Sequence, residues 1–144
     1  MTEVQRHPTV GRILDCALRI HKALGPGLLE STYGHCLTYE FTVYGLRYSR
    51  EVPVPVHYHE VSIRCGYRVD YLVEDTVVLE IKSVPHLTPL HYAQVLTYMR
   101  LMNKPRGLLI NFNARYLMGS VKSLLLKSPS AESSESETPQ RIAE

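Results

Sequence analysis

The stretch that most restricts this chain is Tyr67 to Ser83, where two runs rich in Val, Leu, Ile and Tyr flank Glu74-Asp75-Thr76. That pattern predicts a β-hairpin with a short polar loop. With Asp75 at the centre of the loop, Asp70 and Glu80 are equidistant from the tip and stand opposite each other. Alternation along the strands places Asp70, Glu80 and Lys82 on one face, with Leu72 and Val78 nearer the turn. Val69, Tyr71, Val73, Val77, Leu79 and Ile81 form an apolar layer on the other face. Opposed cross-strand residues have Cβ atoms about 4.5–5.5 Å apart, close enough for two carboxylates to share one ion. A hairpin with one wet, charged face is the plain alternative. Two features count against it. Leu72 and Val78 on that face imply cover, and opposed carboxylates repel unless something positive lies between them.

The rest of the chain must supply that cover. Val10, Ile13, Leu14, Ala17, Leu18 and Leu24 recur at helical spacing and predict an amphipathic helix from Thr9, stopped by Gly25-Pro26-Gly27. A second helix is expected from about Leu28 to Gly45, burying Leu29, Tyr33, Leu37, Phe41 and Tyr44. Leu46 to Ile63 reads as β, with Pro53 and Pro55 restricting it to an edge or a strand end. Thr88 and Pro89 predict the N-cap and first position of a third helix that runs to about Asn103 and buries Leu90, Ala93, Leu96, Tyr98 and Leu101. Leu108 to Phe112 is a short apolar strand expected to be buried on both faces, and residues 114–127 fit helix or strand equally. Strands joined through a helical crossover imply an α/β fold, a mixed sheet with helices packed on it.

At 144 residues the chain fits one domain with its own core. The division expected is a flexible lead-in over 1–8, a folded unit over 9–127, and a disordered Ser-, Glu- and Pro-rich tail over 128–144. No apolar run is long enough for a bilayer and the polar N-terminus lacks a signal-peptide core, so a cytoplasmic protein is expected. Cys16, Cys36 and Cys65 are odd in number and widely spaced, which argues for reduced thiols and against a structural zinc or iron–sulfur site. The net charge of +2 conceals an acidic tail: removing Glu132, Glu135, Glu137, Glu144 and Arg141 leaves 15 basic against 10 acidic residues, or +5, over 1–128. A mildly basic body is compatible with nucleic acid without requiring it.

Asp70 followed by Glu80-Ile81-Lys82 fits the PD-(D/E)xK pattern of metal-dependent nucleases, with Val69 where that pattern has Pro. The run His21 to Glu30, and Gly27-Leu28-Leu29-Glu30-Ser31-Thr32-Tyr33 within it, resembles the signature of the GxxExxY protein family, a branch of that superfamily. Gly66 to Asp70, Leu109 to Phe112 and the order of elements are similar to the family over residues 10–125. Gln94-Val95-Leu96-Thr97-Tyr98 also resembles the QxxxY motif of RecB-like nucleases. The resemblance implies a restriction-endonuclease-like fold and a nuclease acting on nucleic acid, DNA in the first place. Asp70, Glu80, Lys82, Glu30 and Gln94 would form its catalytic set.

The residue chemistry agrees. Carboxylates are hard ligands suited to Mg²⁺ or Mn²⁺, with Asp70, Glu80 and Glu30 as ligand candidates. Lys82 is placed to orient a water or stabilise charge on the phosphate. Several readings stay open. Glu30 also suits a helix N-terminus, Gln94 also suits solvent, Tyr33 and Tyr98 also suit a core, and His21 is either a packed residue or a ligand. A non-catalytic nucleic-acid- or protein-binding module is the alternative function. The small size is compatible with a homodimer.

Overall fold

The computed structural model describes residues 7–64 and 66–127. Residues 1–6, Cys65 and the expected tail from 128 lie outside the described residues. Helix α1 spans Pro8–Leu24 and α2 spans Glu30–Val43. Strands β1 (Tyr48–Pro53), β2 (Val56–Tyr58), β3 (Val61–Ile63), β4 (Arg68–Val73) and β5 (Val77–Lys82) follow, then α3 (Pro89–Leu101), β6 (Arg106–Asn111) and β7 (Val121–Leu125). One sheet has the order β1-β4-β5-β6-β7, with only β5 and β6 parallel. Their parallel pairing requires a crossover, which α3 provides. The fold is α/β, and β2 and β3 form a separate two-stranded ribbon.

Local chemistry sets the helix ends. His7 caps α1, its Nδ1 accepting from the Val10 amide at 3.3 Å, so Pro8 belongs to the helix rather than to a lead-in. Gly25 ends α1 at φ +69°, a conformation costly for other residues. Thr88 caps α3 in a capping box with His91.

The hairpin register is the expected one, Tyr71 opposite Leu79 and Val73 opposite Val77. At the tip, Glu74 and Asp75 both take positive φ, the twist of a primed hairpin turn. Neither is glycine, and each such residue costs about 1 kcal/mol or more. Specific contacts offset this: the Arg47 amide and Nε donate to the Glu74 carboxylate at 2.9 and 3.0 Å, and Lys104 donates to the Asp75 carbonyl and carboxylate at 3.1 Å.

Two apolar layers sandwich the sheet. α1 and α2 cover Tyr71, Val73, Val77, Leu79 and Ile81 on one face, whereas α3 covers Leu72, Val78 and Leu109 on the other. Several burial expectations are corrected. Leu29 and Tyr44 are exposed, because α2 starts only at Glu30 and its inner stripe is Tyr33, Leu37 and Phe41. Leu18 and Leu24 are exposed, and α1 buries Cys16 and Ile20 instead. Leu90 and Ala93 are exposed, since α3 meets the sheet through Val95, Tyr98 and Met99. Val69 joins the α3 layer rather than that of Tyr71.

α3 approaches β6 most closely at Gly107, where an added Cβ would meet Met99 Sδ at 2.4 Å and Val95 Cγ1 at 3.1 Å. Gly107→Ala should therefore cost about 1–3 kcal/mol by overpacking. Urea denaturation measures this, and an unchanged midpoint would contradict the close approach.

Candidate active site

The backbone ladder between β4 and β5 stops at the pair Tyr71–Leu79. Beyond it the side chains take over. The Asp70 amide donates to Glu80 Oε1 at 2.8 Å, and the Ile81 amide donates to Asp70 Oδ2 at 2.8 Å. Each carboxylate thus spends one oxygen on the opposite strand, and among the described residues no hydrogen-bond donor sits on Asp70 Oδ1 or Glu80 Oε2. Lys82 Nζ is 4.0 Å from Glu80 Oε2.

The same break appears towards β1. Arg50 pairs with Tyr71 and Val52 with Val69, but the ladder omits Glu51 opposite Asp70. Glu51 takes φ +51°. Strain of this kind in a non-glycine residue clusters at functional sites. Strict alternation breaks at the same place, since Val69 packs in the α3 layer and Tyr71 in the α1 and α2 layer on either side of Asp70. Asp70 lines a cleft of about 170 Å³ with Glu30, Ser31, Gly34, Arg50 and Glu51. Lys82 and Gln94 line a separate groove of about 630 Å³ on the α3 side. Glu80 is 4% exposed.

Glu30 is held over the hairpin end by its own motif. The Tyr33 hydroxyl donates to the Gly25 carbonyl at 2.6 Å and accepts from the Leu28 amide at 3.2 Å, while its ring stacks on Phe112 at 4.5 Å. Tyr33 is therefore a core aromatic that ties down the loop before α2. Gly27 in that loop takes φ +99°, where glycine is favoured. From β5, the Ser83 hydroxyl donates to the Leu28 carbonyl at 2.6 Å.

Asn111 braces the segment behind Ser83. Its side chain donates to the Val84 carbonyl at 2.9 Å and accepts from the Val84 and Asn113 amides at 3.1 Å. Ser83, Asn111 and Ser31 were not singled out as site or support residues in the sequence. Only the Leu109-Ile110-Asn111-Phe112 run carried a signal. His21 does not line the cleft; its Nε2 lies 2.7 Å from the Ala114 carbonyl, to which it donates.

The electrostatics are those of crowded acids. Burial, then the charge of Asp70, push Glu80 up to about 8. Burial raises Asp70 as well, opposed by the Ile81 amide, Lys82 and Arg50. Glu30, on the exposed rim, is raised by partial desolvation and by Asp70, with Lys82 and the Ser83 amide opposing. Gln94 lies beside the Tyr98 hydroxyl, which burial and the Glu80 charge raise.

This donor set fits a hard divalent cation. It offers oxygen only, it is short of positive charge, and two carboxylate oxygens stay open. Among the described residues no group of three or more His, Cys, Asp or Glu side chains is placed to hold a metal ion. Mg²⁺ does not need such a group, since it keeps several waters and uses one or two carboxylates.

Among known proteins, a family model described as the PD-(D/E)XK nuclease superfamily matches residues 7–123. No curated protein and no solved structure matches the chain significantly. No helix among the described residues is long and apolar enough to cross a membrane.

A pH dependence follows from Glu80. Below about pH 4.5 both folded and unfolded chains hold its proton. As pH rises, the unfolded chain ionises first while the folded chain keeps the proton until about pH 8. Stability of the metal-free protein should fall between those values, by an amount on the order of a few kcal/mol. Glu80→Gln should flatten that fall and raise the melting temperature at pH 8 more than at pH 5. Equal effects at both pH values would show that Glu80 ionises freely.

Proposed function

Because this chain belongs to the PD-(D/E)XK nuclease superfamily, we propose that it is a phosphodiesterase that hydrolyses nucleic acid, DNA in the first place, with Mg²⁺ or Mn²⁺. The observation that carries the reading is the reciprocal bonding of Asp70 and Glu80, which fixes both carboxylates yet leaves one oxygen of each open. Asp70 and Glu80 would hold the cation, and Glu30 would hold one of its waters. When bound, it supplies Lewis acidity to the phosphate and makes a water acidic enough to attack.

The chain's own residues do the remaining work. Lys82, beside Glu80, neutralises charge that develops on the phosphate and orients the attacking water. Gln94, which lines the same groove as Lys82, donates to a phosphate oxygen. Asp70 and Glu80 are rigid because each is anchored to the backbone of the other strand, so little reorganisation is needed at the moment of reaction. Glu30 is raised over them by the Tyr33 and Ser83 tethers. Those tethers give the Gly27, Glu30 and Tyr33 spacing a physical meaning and support placing the chain in the GxxExxY branch.

Purified protein should hydrolyse plasmid, single-stranded DNA or RNA only with divalent metal. Asp70→Ala and Lys82→Ala should each lower the rate by at least about 100-fold. Activity surviving either change would come from a contaminant. Millimolar Mg²⁺ producing neither hydrolysis nor a calorimetric binding signal would favour a non-catalytic binding module.

A further inference from the structure

The groove on the α3 side is larger than the carboxylate cleft and differently built. Its floor is Tyr98, 8% exposed, and its walls carry Tyr67 and Leu90, which remain 48% and 75% exposed. Core packing does not account for two large apolar side chains held open to water around one groove. The Tyr67 and Tyr98 rings are 6.2 Å apart and tilted by 47°, so Tyr98 does not cover the face of Tyr67. Polar side chains share the groove with them. Lys82 and Gln94 line the groove. His91 joins them, with Nδ1 occupied as acceptor of the Thr88 amide at 3.0 Å, so the neutral ring carries its proton on Nε2. At about 630 Å³ the volume lies in the range of small-ligand sites.

We propose that this groove is a nucleobase subsite that seats one unpaired base next to the scissile phosphate, making single-stranded nucleic acid the preferred substrate. The inference rests on the phosphodiesterase reading, because Lys82 belongs both to the carboxylate cluster and to the groove. A fitting occupant therefore carries an anion for Lys82 and a flat apolar body for Tyr67. A nucleotide has both. A base inside a duplex has neither face free, whereas a splayed base stacks on an aromatic ring whatever its identity.

The test is fluorescence anisotropy of a labelled single-stranded oligonucleotide and of the same sequence as duplex, in Ca²⁺, with hydrolysis in Mg²⁺ followed in parallel. The single strand should bind more tightly. Tyr67→Ala should weaken it by about five- to 150-fold, the loss of one stacked base, and leave the duplex unchanged. Tyr67→Phe should restore it, and Leu90→Ala should act in the same direction as Tyr67→Ala. One abasic position in the strand should reproduce the loss and should not add to that of Tyr67→Ala. Equal losses on both substrates, no loss, or tighter binding of duplex would overturn the subsite, while metal-dependent hydrolysis would leave the phosphodiesterase standing. Neither binding nor hydrolysis of any nucleic acid would overturn both.

Discussion

The two hydrogen bonds exchanged between Asp70 and the β5 strand are the point on which the site depends. A β-ladder normally satisfies its amides with carbonyls. Here the last amides, of Asp70 and Ile81, are satisfied by carboxylates. The substitution frees the strands to diverge at the sheet's end, and it holds two acidic groups in place against their mutual repulsion. Everything nearby serves that end of the hairpin. Asn111 fixes Val84 beyond β5, Ser83 reaches back to Leu28, and Tyr33 closes the loop that carries Glu30.

The opposite end of the same hairpin shows how different the tip is. Glu74 there is paired with Arg47 across an exposed turn, and its carboxyl is held below its ordinary value by the Arg47 amide. Glu80 is pushed the other way, by burial among like charges. One acid stabilises a turn. The other is disfavoured as an anion by its surroundings.

Much of this was legible in the sequence, and the failures have physical causes. The hairpin register followed from a strict two-residue period and a polar turn, both local properties. The break in alternation at Asp70 was not legible, because Glu51 beside it takes a positive φ that no glycine announces. The apolar residues Leu29 and Leu90 read as core because hydrophobicity alone does not distinguish a packed side chain from an exposed one. The role of Tyr33 depends on a hydroxyl tether to Gly25, and that of His21 on Ala114, far along the chain. Periodicity carries no such pairing. The superfamily motif, by contrast, was legible because the chemistry demands particular residue types at a fixed spacing.

The most direct measurement is a crystal structure of the full chain soaked in Mn²⁺, with anomalous diffraction to locate the ion. An anomalous peak between Asp70 Oδ1 and Glu80 Oε2, absent from Asp70→Asn crystals, is the expected result. A soaked crystal without a peak there, or with Lys82 Nζ moved into that position, would contradict a cation site built on the open oxygens of the hairpin.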